Sequence, residues 1–223
     1  MNNKKQEPIF DLSGDSKGIT ISIYGKRNSG KSYLLVNRLL MSPQLLKGKF
    51  DEIYLIHPNV KYDLKYHKIQ FTEVYEEFSQ VLIEYITEKV RAKYEEDPKY
   101  RACLIMDDCV GSGDFKGFNK ATPLDKAYYN SRHYGLSLIT LSQRFKATDF
   151  SLRSQLDYVI FFKTRYRAEK KIIEESYGLD DKKKWEEVWL YTFQDFYDFM
   201  LIDTKKDIIY RNFNRLEYKN ITL

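Results

Sequence analysis

The chain has little cysteine. Cys103 and Cys109 are its two, their spacing is that of neither a metal-binding nor a redox pair, and His57, His67 and His133 are scattered. Neither a disulfide scaffold nor a structural zinc site is expected. No run of eighteen apolar residues occurs, and the Met1-Asn2-Asn3-Lys4-Lys5 start lacks the apolar segment of a signal peptide. The sequence therefore predicts no membrane span and a cytoplasmic protein. Strong net charge is missing as well. The 37 basic residues exceed the 32 acidic ones by +5, an excess that favours approach to a polyanion without requiring one. Internal repeats and low-complexity segments are absent.

What is there is an ordinary globular balance, 43% hydrophobic and 31% charged over 223 residues, enough for one α/β domain with a buried core. The 19 tyrosines raise the aromatic share to 16%, and such rings mostly fill a core and its rim. Residues 1–17 are polar, with Pro8, Gly14 and Asp15 among them, and read as a loose arm; residues 18–223 read as a single domain.

Apolar periodicity then predicts a βαβα order. Strands are expected at Ile19–Tyr24, Phe50–Ile56, Ala102–Met106, Leu136–Ser142 and Asp157–Lys163. Helices are expected at Lys31–Met41, Glu73–Tyr94, Pro123–His133, Ala168–Tyr177 and Trp185–Phe193. Phe196–Ile202 and Ile208–Phe213 read as a closing antiparallel hairpin. The alternation implies a mostly parallel sheet covered by helices on both faces.

Between the first strand and the first helix lies Gly25-Lys26-Arg27-Asn28-Ser29-Gly30-Lys31-Ser32, which fits G-x-x-x-x-G-K-[ST] at every fixed position and leads into Tyr33. The strand–loop–helix setting is the one the chemistry needs. Successive backbone N–H groups turn inward on phosphate oxygens and the helix N-terminus adds partial positive charge. Lys31 then reaches the β- and γ-phosphates, and the Ser32 hydroxyl meets Mg2+. ATP and Mg2+ are the expected ligands. A guanine reading fails: Asn119-Lys120 begins an N-K-x-D motif, but Thr122 stands where the aspartate would pair with the base.

Leu104-Ile105-Met106 ends in Asp107-Asp108, the form of a Walker B strand, with Asp107 holding Mg2+ through water and Asp108 polarising the attacking water. Gln143 ends the strand Leu138-Ile139-Thr140-Leu141-Ser142. It meets the γ-phosphate if that strand lies between those of the P-loop and the acidic pair.

Gly25–Ser32, Leu104–Asp108 and Ser131–Gln143, with an arginine–histidine step ahead of a glutamine-ended strand, resemble the poxvirus-type genome-packaging ATPases of large DNA viruses and virophages. These fall within the FtsK-HerA superfamily. The resemblance runs from about Ile19 to Lys163. It implies a RecA-like, additive-strand P-loop fold and ATP-driven movement of double-stranded DNA into a capsid. It also implies a pentameric or hexameric ring working at a viral assembly site in the host cytoplasm, with virion association as a further expectation. Cellular members carry glutamate where this chain has Asp108, one methylene shorter. Arg153, with Arg132 as its rival, is the candidate arginine finger. Lys163, Arg165, Arg167, Lys170, Lys171 and Lys182 to Lys184 are candidate DNA contacts, with the Gly111–Lys120 loop as a pore element. Two other classes stay open: a small-molecule or nucleoside kinase, and a nucleotide-dependent switch or scaffold.

Overall fold

Strand β1 (Thr20–Tyr24) is buried along its whole length. Its isoleucines Ile21 and Ile23 enter one apolar layer and Tyr24 the other, as a period of two requires of a strand covered on both faces. The computed structural model describes residues 10–12, 18–109 and 122–217. The Gly111–Lys120 loop and most of the N-terminal arm lie outside them.

Among the described residues one nine-stranded sheet has the order β3-β2-β4-β5-β1-β6-β7-β8-β9. Here β2 is Glu52–Ile56, β3 Glu73–Tyr75, β4 Ala102–Asp107, β5 Leu136–Ser142 and β6 Tyr158–Phe162. These six pair in parallel. Strands β7 (Phe199–Asp203), β8 (Ile208–Arg211) and β9 (Asn214–Arg215) continue the sheet antiparallel from β6. The C-terminal hairpin is thus an extension of the main sheet.

Helix α1 (Lys31–Tyr33) opens directly after the glycine loop and continues as π-helical turns over Leu34–Leu39. Leu34, Leu35 and Leu39 are buried against one face of the sheet. The other face is covered by α2 (Gln80–Glu96), α3 (Pro123–Asn130), α5 (Arg167–Tyr177) and α6 (Lys182–Thr192); short α4 (Phe150–Arg153) lies between β5 and β6. Alternate residues of β4 serve the two layers: Leu104 and Met106 one, Cys103 and Ile105 the other.

Three helix assignments differ from expectation, and the strand expected from Phe196 starts only at Phe199. The segment expected as a helix over Glu73–Tyr94 begins as edge strand β3, and α2 starts only at Gln80, where Ser79 accepts from the Leu82 N–H as N-cap. Thr72 and Val74 favour the pleat, and Thr72 Oγ1 accepts from Ile53 N–H at 3.1 Å. Helix α6 starts at Lys182, ahead of Trp185, because Asp181 caps the Lys183 and Lys184 N–H groups. Helix α3 ends at Asn130 and tightens into a 3₁₀ turn, Ser131–Tyr134, closed by Gly135 at φ 69°.

Within the polar arm, Phe10 and Leu12 are buried. The Phe10 ring meets Tyr158, Tyr210 and Phe213 at centroid distances of 5.3, 5.3 and 6.0 Å, and its N–H donates to Phe213 O. This clamps the arm across the antiparallel end of the sheet. Phe10→Ala should cost about 3–5 kcal/mol, the usual range for emptying a buried aromatic site. Denaturant unfolding checks this, and a midpoint equal to the native chain's would disprove the clamp.

Candidate functional site

Parallel strands bring their carboxyl ends to one edge, and ligand sites form there. At this edge β5 lies between β1 and β4, so the glycine loop, Asp107-Asp108 and Gln143 end three adjacent strands. Sequence reasoning made the role of Gln143 conditional on that order.

The loop geometry follows from its small residues. Gly30 has φ 105° and Asn28 φ 63°, both left-handed, which glycine and asparagine adopt most readily. Gly25 is needed for space: a Cβ there would stand 2.5 Å from Ser29 Oγ and 2.8 Å from Phe162 Cβ. Lys31 is buried and donates to Gly25 O at 2.8 Å and Lys26 O at 3.3 Å, bracing the loop from within. Burial lowers the pKa of its ammonium, with the nearby Asp108 and Asp107 opposing. Lys26 and Arg27 are exposed, Tyr33 stands 60% exposed at the start of the helix, and Lys26 Nζ lies 5.1 Å above the Phe196 ring.

Asp107 is 3% exposed, and burial pushes its carboxyl above the ordinary aspartate range. The Tyr66 hydroxyl counters this by donating to Oδ2 at 2.7 Å, and Ser32 donates to the same oxygen at 3.3 Å. Asp108 sits in the left-handed region at φ 54°, its N–H bonded to Leu141 O. Gln143 Nε2 donates to Asp108 Oδ1 at 3.3 Å, linking the ends of β4 and β5.

The arginines are not alike. Arg153 is half-buried, its guanidinium 4.7 Å over Phe145 and 5.8 Å over Phe150. Arg132 is exposed in the 3₁₀ turn that precedes β5, at the sheet edge opposite the glycine loop. Sequence reasoning missed Arg144, exposed directly after Gln143. It also missed Tyr66, in a 3₁₀ turn over Leu64–Lys68 that carries no periodic signal. Several basic residues singled out for DNA are engaged within the chain: Lys163 with Phe193 O, Lys170 with Glu186, Lys171 with Glu175, Lys184 with Glu187. Arg165, Arg167, Lys182 and Lys183 are exposed.

A cleft of about 1550 Å³ opens beside the loop, lined by Asn28 to Leu34, Phe162, Phe196, Tyr197 and Asn212 among others. Phe196 and Tyr197 are 55% and 67% exposed, their rings edge to face at 4.9 Å. The phosphate loop in its wall suits a nucleotide.

Residues 13–187 match the family described as Poxvirus A32 protein. Among solved structures, the chain is similar to B204, the DNA-packaging ATPase from Sulfolobus Turreted Icosahedral Virus, at 23% identity and TM-score 0.69, covering 88% of this chain and 97% of that one. It is similar to the genome packaging NTPase B204 from Sulfolobus turreted icosahedral virus 2 in complex with AMPPCP, at 24% identity and TM-score 0.69, covering 91% and 100%. The pCW3 conjugation coupling protein TcpA, in its monomer form with ATPgS, aligns at 16% identity and TM-score 0.59, over 97% and 67%. At these identities the likeness is one of fold: an α/β P-loop ATPase with a mostly parallel sheet. No curated protein matches the sequence. No helix among the described residues is long and apolar enough to cross a membrane.

Gly25→Ala should weaken binding of a fluorescent ATP analogue by roughly tenfold or more, since an overpacked site costs about 1–3 kcal/mol. An affinity equal to the native chain's would show that the loop has room the geometry denies it.

Proposed function

Since the chain belongs to the Poxvirus A32 protein family, we propose that it is an ATP-hydrolysing double-stranded DNA translocase that packages a viral genome into a capsid. The observation that carries the hydrolytic part is the contact between Gln143 and Asp108 at the ends of neighbouring strands beside the P-loop. A protein that merely holds nucleotide has no need of a second acid there, still less of an amide trained on it. The packaging part is supported by the family and by the fold shared with the B204 packaging ATPases.

In this reading Gly25 to Tyr33 cradle the triphosphate. Lys31 exchanges the carbonyls of Gly25 and Lys26 for phosphate oxygens, so its charge is already desolvated and aimed along the loop. Ser32 Oγ and Asp107 Oδ2, 3.3 Å apart, are hard oxygen donors of the kind magnesium takes. Bound there, Mg2+ would neutralise charge developing on the phosphates. Tyr66 holds Asp107 in orientation. Asp108 accepts a proton from the attacking water, and Gln143 moves between Asp108 and the γ-phosphate, which makes it a sensor of nucleotide state. An arginine from a neighbouring copy completes the site within a ring of five or six subunits. Arg153 is the candidate, which would have to leave two aromatic faces to act, and exposed Arg132 is its rival.

The test is steady-state ATP hydrolysis at a concentration that permits assembly, with and without linear double-stranded DNA. DNA should stimulate turnover of the native chain. Lys31→Ala and Asp108→Ala should abolish that stimulation, with Asp108→Ala lowering turnover on the order of a hundredfold while nucleotide still binds. Turnover indifferent to DNA in a chain that stays monomeric with nucleotide bound would refute the motor and favour a kinase or a switch.

A further inference from the structure

Beside the nucleotide site one buried side chain has two polar atoms that both lack a partner among the described residues. His57 follows the last residue of β2, and the pairing of β2 with β4 sets it near Asp107. Its side chain is 6% exposed, and both Nδ1 and Nε2 are buried with no hydrogen-bond partner among the described residues. An imidazole always presents two polar nitrogens, and native interiors rarely leave both unanswered. Nε2 points at Asp63, 3.8 Å from its Oδ2. One ligand atom from each of His57, Asp63 and Asp107 lies within 4.8 Å of the others.

We propose that His57, Asp63 and Asp107 form a second divalent-cation site, selective for an imidazole-binding metal such as Zn2+, which competes with the nucleotide's Mg2+ for the shared Asp107 carboxylate. The competition rests on the role given to Asp107 above; the site itself does not. An imidazole nitrogen and carboxylate oxygens are zinc ligand types, and three protein ligands leave the fourth position to water. The imidazole disfavours Mg2+, which prefers oxygen donors.

Zinc bonds of about 2.0–2.2 Å require the three ligand atoms to draw closer than they stand. Asp63 provides the movement. It is half-buried in a turn, and its Oδ1 caps the Lys65 N–H at 3.2 Å while Oδ2 faces the histidine. Lys65 Nζ lies 3.7 Å from that same Oδ2, but its side chain is 55% exposed and can withdraw into solvent when a metal takes its place.

Zn2+ is titrated by calorimetry into the full chain, nucleotide-free and previously chelated, beside His57→Gln and Asp63→Asn. The native chain should bind one Zn2+. Each variant should bind at least about tenfold more weakly, since loss even of groups that merely support a metal ligand costs about 10–100-fold. Co2+ should give the visible absorption of a four-coordinate ion in the native chain, a reading that needs no variant to fold. Added Zn2+ should inhibit Mg2+-dependent turnover of the native chain and leave that of His57→Gln unaffected. Absence of stoichiometric Zn2+ binding, or equal affinity in the native chain and both variants, would overturn the site. A chain that binds Zn2+ as expected but hydrolyses no ATP would overturn the reading of Asp107 and leave the site standing.

Discussion

A carboxylate buried to 3% exposure at the end of β4 is costly to keep ionised, and the nucleotide edge is arranged around that cost. Asp107 accepts from Ser32 on the helix after the glycine loop and from Tyr66 on the 3₁₀ turn after β2. Three separate stretches of chain are thereby tied to one group. Tyr66 is itself buried, and both burial and the adjacent carboxylate hold its phenol protonated, so it stays a donor at any working pH. A cation bound at Asp107 would offset that cost directly.

The aromatic residues divide in a way that supports the same edge. Tyr24, at the end of β1, lies against Phe161 and meets Phe145 edge-on at 5.0 Å, and its hydroxyl donates to Thr148. Phe145 begins the segment that follows Gln143 and Arg144, so the loop carrying the amide is anchored by ring packing on the strand carrying the P-loop. Arg153 belongs to this anchor, which is why its guanidinium is half-buried. Phe196 and Tyr197 belong to the exposed aromatic residues, with Tyr33. They are exposed at the mouth of the cleft, and a Cβ on Gly30 would come within 3.3 Å of Tyr197.

Much of this was legible beforehand because it is local. The glycine loop needs particular residues at particular offsets, β4 is a continuous apolar run and β5 a mostly apolar one, and each ends in polar groups, so Lys31, Ser32, Asp107, Asp108 and Gln143 could be named from the chain alone. The adjacency of Asp108 and Gln143 could only be stated as a condition, since strand order is a long-range property. His57, Asp63 and Tyr66 were illegible for a related reason. They lie in a polar stretch with no period, and what unites them is proximity to a residue far along the chain. Edge strand β3 was read as the first turn of α2 because three residues are too few to show a period of two. The cap at Ser79 was the local signal that would have separated them.

Charge gives the last constraint on how a polyanion would be held. Lys163, Lys170, Lys171 and Lys184 are paired or hydrogen-bonded within the chain, Lys163 and Lys171 while staying exposed, and Arg165, Arg167, Lys182 and Lys183 are exposed as well. Backbone affinity grows with the number of phosphates neutralised, each contributing a salt slope of roughly −0.9 on duplex DNA. A few cations on one copy amount to a weak, rapidly released contact. For a translocase that is an advantage, because a subunit that gripped strongly could not let go between steps. In the proposed ring, processivity would come from several copies holding the duplex together, and the weakness of each contact would be a physical reason for assembly.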